Sequence, residues 1–260
     1  AIATVFSQGI SALLCYVYMY RHFQILKGEA KEHKFQLHLA RTLLNIGVPM
    51  GLQFSITAIG SIMLQSAVNT LGAVYVSCVA AFTSAMRIKM FFICPFESLG
   101  IAMATYCGQN YGAGKPKRIW QGIKASGVMM LIYALLTFVV LMVGARTLAL
   151  LFVDTTELEI LKNTELFLHV SAYFFPFLGL LCILRYTIQG AGYTNLAMLS
   201  GVSEMIARTL VSIYAVPVYG YIAVCFGDPT AWLAADLFLI PAFIYVYRKL
   251  KELRCPLTEG

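Results

Sequence analysis

The sequence predicts an all-α integral membrane protein with seven transmembrane helices. Hydrophobic residues make up 60% of the chain and charged residues 12%, with a mean hydropathy of +0.77. Soluble domains carry roughly 25% charged residues. The run from Thr42 to Met86 holds 45 residues without one Asp, Glu, Lys, Arg or His. One bilayer crossing needs about 20 apolar residues, so the run is two crossings. The basic residues outside the apolar segments fall in alternate loops, as a multi-pass topology requires.

The elements follow in order. Ile2–Tyr20 is the first span. Leu43–Val68, with Pro49 in its first turns, is the second, and Asn69-Thr70-Leu71-Gly72 reads as a tight turn after it. Val74–Cys107 is a long helix carrying Pro95, and Gly122–Gly144 is the fourth span. Leu166–Gln189 contains Pro176, and Asn195–Val216 follows it. Asp228-Pro229 reads as an N-cap acid with proline at the first helical position, opening a helix to about Tyr247. Pro217–Gly227 is apolar but broken by Pro and Gly, which makes it a partly buried connection.

Arg21, Lys27, Lys31, Lys34 and Arg41 occupy the first loop. Lys115, Lys117, Arg118 and Lys124 occupy the third, and Arg248, Lys249, Lys251 and Arg254 the tail. With seven crossings these share one side, and only Arg146 and Lys162 lie opposite. The positive-inside rule makes the first side, and the C-terminus, cytoplasmic. The formal charge of +7 then serves topology and contact with anionic lipid, not nucleic acid. In the first loop Phe35, Leu39 and Leu43 are spaced for an interfacial helix leading into the second span.

Ionisable residues at membrane depth mark a bundle interior or a water-filled cavity, because each costs about 3 kcal/mol at the centre of a span. Glu204 and Arg208 stand one turn apart on one face, with the acid N-terminal to the base. They are a structural pair, cavity residues, or both; as an isolated pair they would tolerate exchange of the two charges. Arg185 lies one turn from the end of its helix, within snorkelling reach of the surface. Arg87 and Lys89 are two apart, so only one of them faces a given partner, and Glu97 follows beyond the break at Pro95. Asp236 has no partner visible in the sequence. Gln53, Thr57 and Ser61 form one polar stripe, with Ser55 and Gln65 on the same helix. Interhelical hydrogen bonding and substrate contact are equal readings of that stripe.

The seven cysteines are scattered without a CxxC, and three of the four histidines lie in one polar loop without ligand spacing. Neither pattern is a metal site. There is no GxSxG, HExxH or Walker motif, and Gly112-Ala113-Gly114-Lys115 lacks the P-loop spacing. No enzyme and no cofactor is expected. The chain opens at Ala1 inside an apolar segment, without a basic n-region or a cleavage site. That pattern is not a signal peptide, and it implies a preceding N-terminal part.

Gly47-Val48-Pro49-Met50-Gly51-Leu52-Gln53 resembles the opening of the C-terminal lobe of multidrug and toxic compound extrusion (MATE) transporters. Pro95 with Gly108-Gln109-Asn110-Tyr111-Gly112-Ala113-Gly114 continues the pattern. Arg185 with Gln189-Gly190-Ala191-Gly192, Glu204 with Arg208, and Asp228-Pro229-Thr230-Ala231-Trp232 complete it in order. The resemblance implies a twelve-helix protein of two six-helix lobes. Residues 1–20 would be the last helix of the N-terminal lobe and 21–41 the cytoplasmic linker. Residues 42–250 would be the C-terminal lobe and 251–260 a cytoplasmic tail.

The implied activity is export of organic, often cationic, compounds by alternating access, in antiport with H⁺ or Na⁺, across the plasma or inner membrane. The implied partners are the small-molecule substrate, membrane lipid and the N-terminal lobe. Gln53, Thr57, Arg87, Glu97, Arg185, Gln189, Glu204, Arg208 and Asp236 are the cavity candidates. One departure stands out: the second span lacks the carboxylate some MATE branches carry there, so the chain resembles the branch related to DNA-damage-inducible protein F. A flippase of the same superfamily for a lipid-linked precursor is the alternative, since Arg185 and Arg208 suit a pyrophosphate. A heptahelical receptor shares the topology, but the last helix has neither a retinal Lys nor Asn-Pro-x-x-Tyr.

Overall fold

The computed structural model describes residues 2–23, 36–73 and 75–252. Predicted features at Lys27–Phe35, Val74 and 253–260 lie outside them. The chain divides into two compact units, 1–45 and 46–260. In the first, helix α1 (Ile2–His22) covers the stretch predicted as the first span. Tyr16, Tyr18 and Tyr20 crowd its end beside Arg21 and His22, the composition of a membrane interface.

Helix α2 (Leu37–Gly72) leads into the second unit. It takes in the last residues of the predicted linker, including Leu39, and the predicted turn at Asn69–Gly72. Asn69 accepts a hydrogen bond from Gln65 at 3.0 Å, one helical turn away, so its side chain supports the helix it was expected to end. Helix α2 runs through the predicted turn to Gly72. Helices α3 (Val76–Gly112), α4 (Pro116–Ala149) and α5 (Leu158–Gly190) follow. Helix α6 (Thr194–Leu210) runs through a π segment (Val211–Ala215) into α7 (Val216–Tyr219). Gly220, at φ +60°, turns the chain into α8 (Tyr221–Cys225), and α9 (Gly227–Glu252) is the last described helix. The predicted connection is thus α7 and α8, and its residues Ala223, Val224 and Cys225 are buried.

Among the described residues six helices, α2, α3, α4, α5, α6 through α7, and α9, are long and apolar enough to cross a bilayer; α1 is not one of them, against the seven spans predicted. Helix α4 shows how. Met130, Ala134, Leu141 and Ala145 recur every three to four residues or a multiple and are buried. Leu131, Leu135, Val139 and Val143 are exposed apolar residues on other faces, which lipid solvates. Helix α5 is the most buried span and is apolar all round. Its Phe167 and Phe175 anchor an aromatic seam. Phe82 meets Phe167 edge-on at 5.4 Å, Phe96 lies 5.6 Å from Phe175 and 4.9 Å from Tyr133, and Trp232 lies 6.0 Å from Phe175. The seam joins α3, α4, α5 and α9 and leaves a cavity beside it.

Candidate functional site

The cavity has a volume of about 660 Å³ and is walled by α2, α3, α5, α6 and α9, a size that holds an organic molecule. Of the nine residues the sequence nominates, Gln53, Thr57, Arg87, Glu97, Arg185, Glu204 and Arg208 line it. The stripe on α2 is brought in whole: Gln53, Thr57, Ser61 and Gln65 all face the cavity. Ser55 does not, and its hydroxyl donates to the Gly51 carbonyl at 3.0 Å.

Gln189 and Asp236 stand apart. Gln189 Nε2 donates to Gln53 Oε1 at 2.6 Å, tying α5 to α2, and its side chain lines a neighbouring cleft of about 420 Å³. Asp236 is buried, and neither of its carboxylate oxygens has a hydrogen-bond partner in the structure. Arg185 and Glu204 act on it electrostatically.

The electrostatic framework is a row of alternating charges. Lys89 of α3 pairs with Asp228 Oδ2, and Asp228 Oδ1 accepts from Arg208 Nε at 2.9 Å. Arg208 Nη2 lies 3.4 Å from Glu204 Oε2, and Glu204 Oε1 pairs with Arg185 Nη2. Arg185 Nε also donates to Ser200 Oγ at 3.1 Å, and Lys89 Nζ sits 4.8 Å above the Phe167 ring. Each carboxylate is held between two cations, which is how a buried charge survives where water is scarce. The row bolts α3, α5, α6 and α9 together.

Two members escape the sequence reading. Both Lys89 and Arg87 line the cavity, but Lys89 is buried and pairs with Asp228, while Arg87 is exposed and makes no ion pair with any described residue. Asp228, read from the sequence as an N-cap, lies inside the first turn of α9, which starts at Gly227. Its carboxylate goes to Lys89 and Arg208 instead. The one available signal was stoichiometry: the four bases at membrane depth outnumbered the three acids, and Asp228 was the nearest carboxylate left outside the count. The row also shows why exchanging the charges of Glu204 and Arg208 is not a neutral swap. It would set a guanidinium against Arg185 and a carboxylate against Asp228.

Residues 49–214, which supply α2 to α6 and most of these charges, match the MatE family model. The chain belongs to the MatE family. It is 28% identical over 192 residues to the probable multidrug resistance protein YpnP of Bacillus subtilis (strain 168), covering 74% of this chain and 42% of that protein. It is 24% identical over 258 residues to the probable multidrug resistance protein YoeA of the same organism, covering 96% and 54%. The chain therefore spans about half the length of these MatE relatives. A crystal structure of MATE in complex with MaL6 shares the fold with a TM-score of 0.79 at 19% identity, over 96% of this chain and 56% of that one. So does a MOP superfamily transporter from Pyrococcus furiosus Vc1 (DSM3638), with a TM-score of 0.79 at 19% identity, over 97% and 56%. That transporter is described as having a binding pocket of reverse polarity that suggests a different function.

Proposed function

We propose that this chain is the C-terminal lobe of a two-lobe secondary transporter. It exports organic compounds, often cationic, by alternating access in exchange for H⁺ or Na⁺. The observation that carries the reading is the charged, lobe-internal cavity in a MatE chain whose relatives are named as probable multidrug resistance proteins. A transport site between repeats near the midplane is the general arrangement of such carriers. The partners are the substrate, the surrounding lipid and the N-terminal lobe. The protein sits in the plasma or inner membrane with its basic loops and C-terminus cytoplasmic. No chemical step is assigned: five of the cavity's charges, Lys89, Asp228, Arg208, Glu204 and Arg185, are committed to one another, as suits binding and release.

Cells expressing the full-length protein should accumulate less ethidium than control cells. Collapsing the proton and sodium gradients, separately and together, should abolish the difference through one of the two. Unchanged accumulation across a broad panel of organic compounds would overturn the reading. The unpartnered carboxylate of Asp236 is this lobe's candidate for the coupling ion, with Arg185 and Glu204 as its charged neighbours. Asp236→Asn keeps the shape of the side chain and should leave energy-independent substrate counterflow intact while removing gradient-driven export. Equal gradient-driven export in both proteins would move the coupling to the other lobe.

The flippase alternative draws on the cation excess in the cavity and on the reverse-polarity pocket described for the Pyrococcus furiosus transporter. Complementation of a lipid-precursor export defect would favour it. Membership of the MatE family leaves the receptor alternative without support.

A further inference from the structure

The cavity lining carries four bases, Arg87, Lys89, Arg185 and Arg208, and three acids, Glu97, Glu204 and Asp228. Glu204 and Asp228 are each flanked by two cations, so neither is free to receive a cationic ligand. Glu97 makes no ion pair with any described residue, but it stands ten residues beyond Arg87 on α3, about 15 Å of helix rise away. The five-membered row holds one more positive than negative charge. Its spare hydrogen-bonding capacity lies on the donor side, because Arg208 Nη1 is buried without a partner while the rest of that guanidinium is paired. Arg87 adds a second positive group: it lines the same cavity, is exposed to it, and makes no ion pair with any described residue. Arg87 and Lys89 are two positions apart, about 3 Å of helix rise, and Lys89 joins Arg208 through Asp228. The free guanidinium and the free Nη1 are therefore at similar depth.

We propose that this cavity recognises an anionic group on its substrate, a carboxylate or a phosphate, seated between Arg87 and Nη1 of Arg208. The inference rests on the transport reading but departs from the expectation of a cationic substrate. A planar guanidinium offers paired donors that match carboxylate and phosphate oxygens. A net positive row is stabilised by an anion. The apolar wall formed by Met86, Met90 and Ile93 on the Arg87 helix suits an organic body attached to that anionic group.

The test is binding to the purified full-length protein in mild detergent, read by fluorescence. The probes are pyrenebutyrate, its methyl ester, and a pyrenebutyl trimethylammonium salt. Wild-type protein should bind pyrenebutyrate more tightly than either neutral or cationic congener. Arg87→Gln should weaken pyrenebutyrate about tenfold to a hundredfold, the worth of a hydrogen-bonded charge, and leave the ester unchanged. Comparison at equal detergent cancels partitioning. Arg87 has no structural partner, so Arg87→Gln should keep the wild-type melting temperature, and Arg87→Lys should restore part of the affinity. Tightest binding of the cationic probe, or an undiminished preference for pyrenebutyrate in Arg87→Gln, overturns the proposal. Displacement by phosphatidic acid assigns the site to a lipid phosphate, and indifference to it assigns it to a soluble carboxylate; either supports an anion site. Failure here leaves gradient-driven export across the compound panel untouched, so it is distinguishable from failure of the transport reading.

Discussion

Asp228→Ala should unfold the lobe more readily than any other single change in the cavity wall, lowering stability by about 3 to 5 kcal/mol. The carboxylate is buried and holds two cations, Lys89 and Arg208, that come from different helices. Removing it leaves Lys89 with only the face of Phe167 and Arg208 with only Glu204. An uncompensated ammonium in an apolar surrounding is the costly outcome, more than the loss of the contact itself. The argument has an internal check. If unpaired charge is the cause, adding Lys89→Met to Asp228→Ala should recover stability, with a coupling of about 1 to 3 kcal/mol between the two sites. The thermal unfolding midpoint of the full-length protein in mild detergent reads both. Additive losses would mean that Asp228 acts through local packing at the start of α9 rather than through the row.

The reach of sequence reasoning follows from the range of each interaction. Hydropathy is summed along the chain, so the 45-residue run from Thr42 to Met86 announces α2 and α3 without reference to anything else. Helix ends are less legible. Leu158–Gly190 and Pro116–Ala149 extend past their apolar stretches, because a backbone already hydrogen-bonded in register continues through polar residues at the surface. The polar stripe Gln53, Thr57 and Ser61 needs only the 3.6-residue period, and it does share one cavity. Lys89 and Asp228 were hidden because their significance is mutual, and 139 residues separate them. An acid before a proline matches a local cap signature, and no local signal says that tertiary pairing will take its carboxylate instead. Arg87 shows the converse: sequence says that Arg87 and Lys89 cannot share a partner but not which of the two is paired and which is left free in the cavity.

Gly190→Ala should be the most damaging change of a single methyl group, costing about 1 to 3 kcal/mol despite the helix propensity it gains. A Cβ at Gly190 would stand 2.3 Å from the Ala104 carbonyl oxygen and 2.9 Å from its carbonyl carbon and Cα. These are backbone atoms of α3, so no rotamer change relieves the clash. The pair α3 and α5 is the most extensively packed in the lobe, and the methyl group would have to wedge it apart. Gly127 in α4 supplies the control, since a Cβ there meets nothing within 4 Å. Gly127→Ala should be neutral or stabilising by up to about 1 kcal/mol. The functional consequence is specific because Gln189 precedes Gly190 and holds Gln53 of α2 at 2.6 Å. Separation of α5 from α3 should therefore shift the Gln53 end of the cavity and weaken substrate binding even where the protein remains folded. Unfolding midpoints for the two alanine variants, with substrate affinity measured on the folded fraction, decide the matter. Equal midpoints for Gly190→Ala and Gly127→Ala would show that α3 and α5 have slack to accept the methyl group.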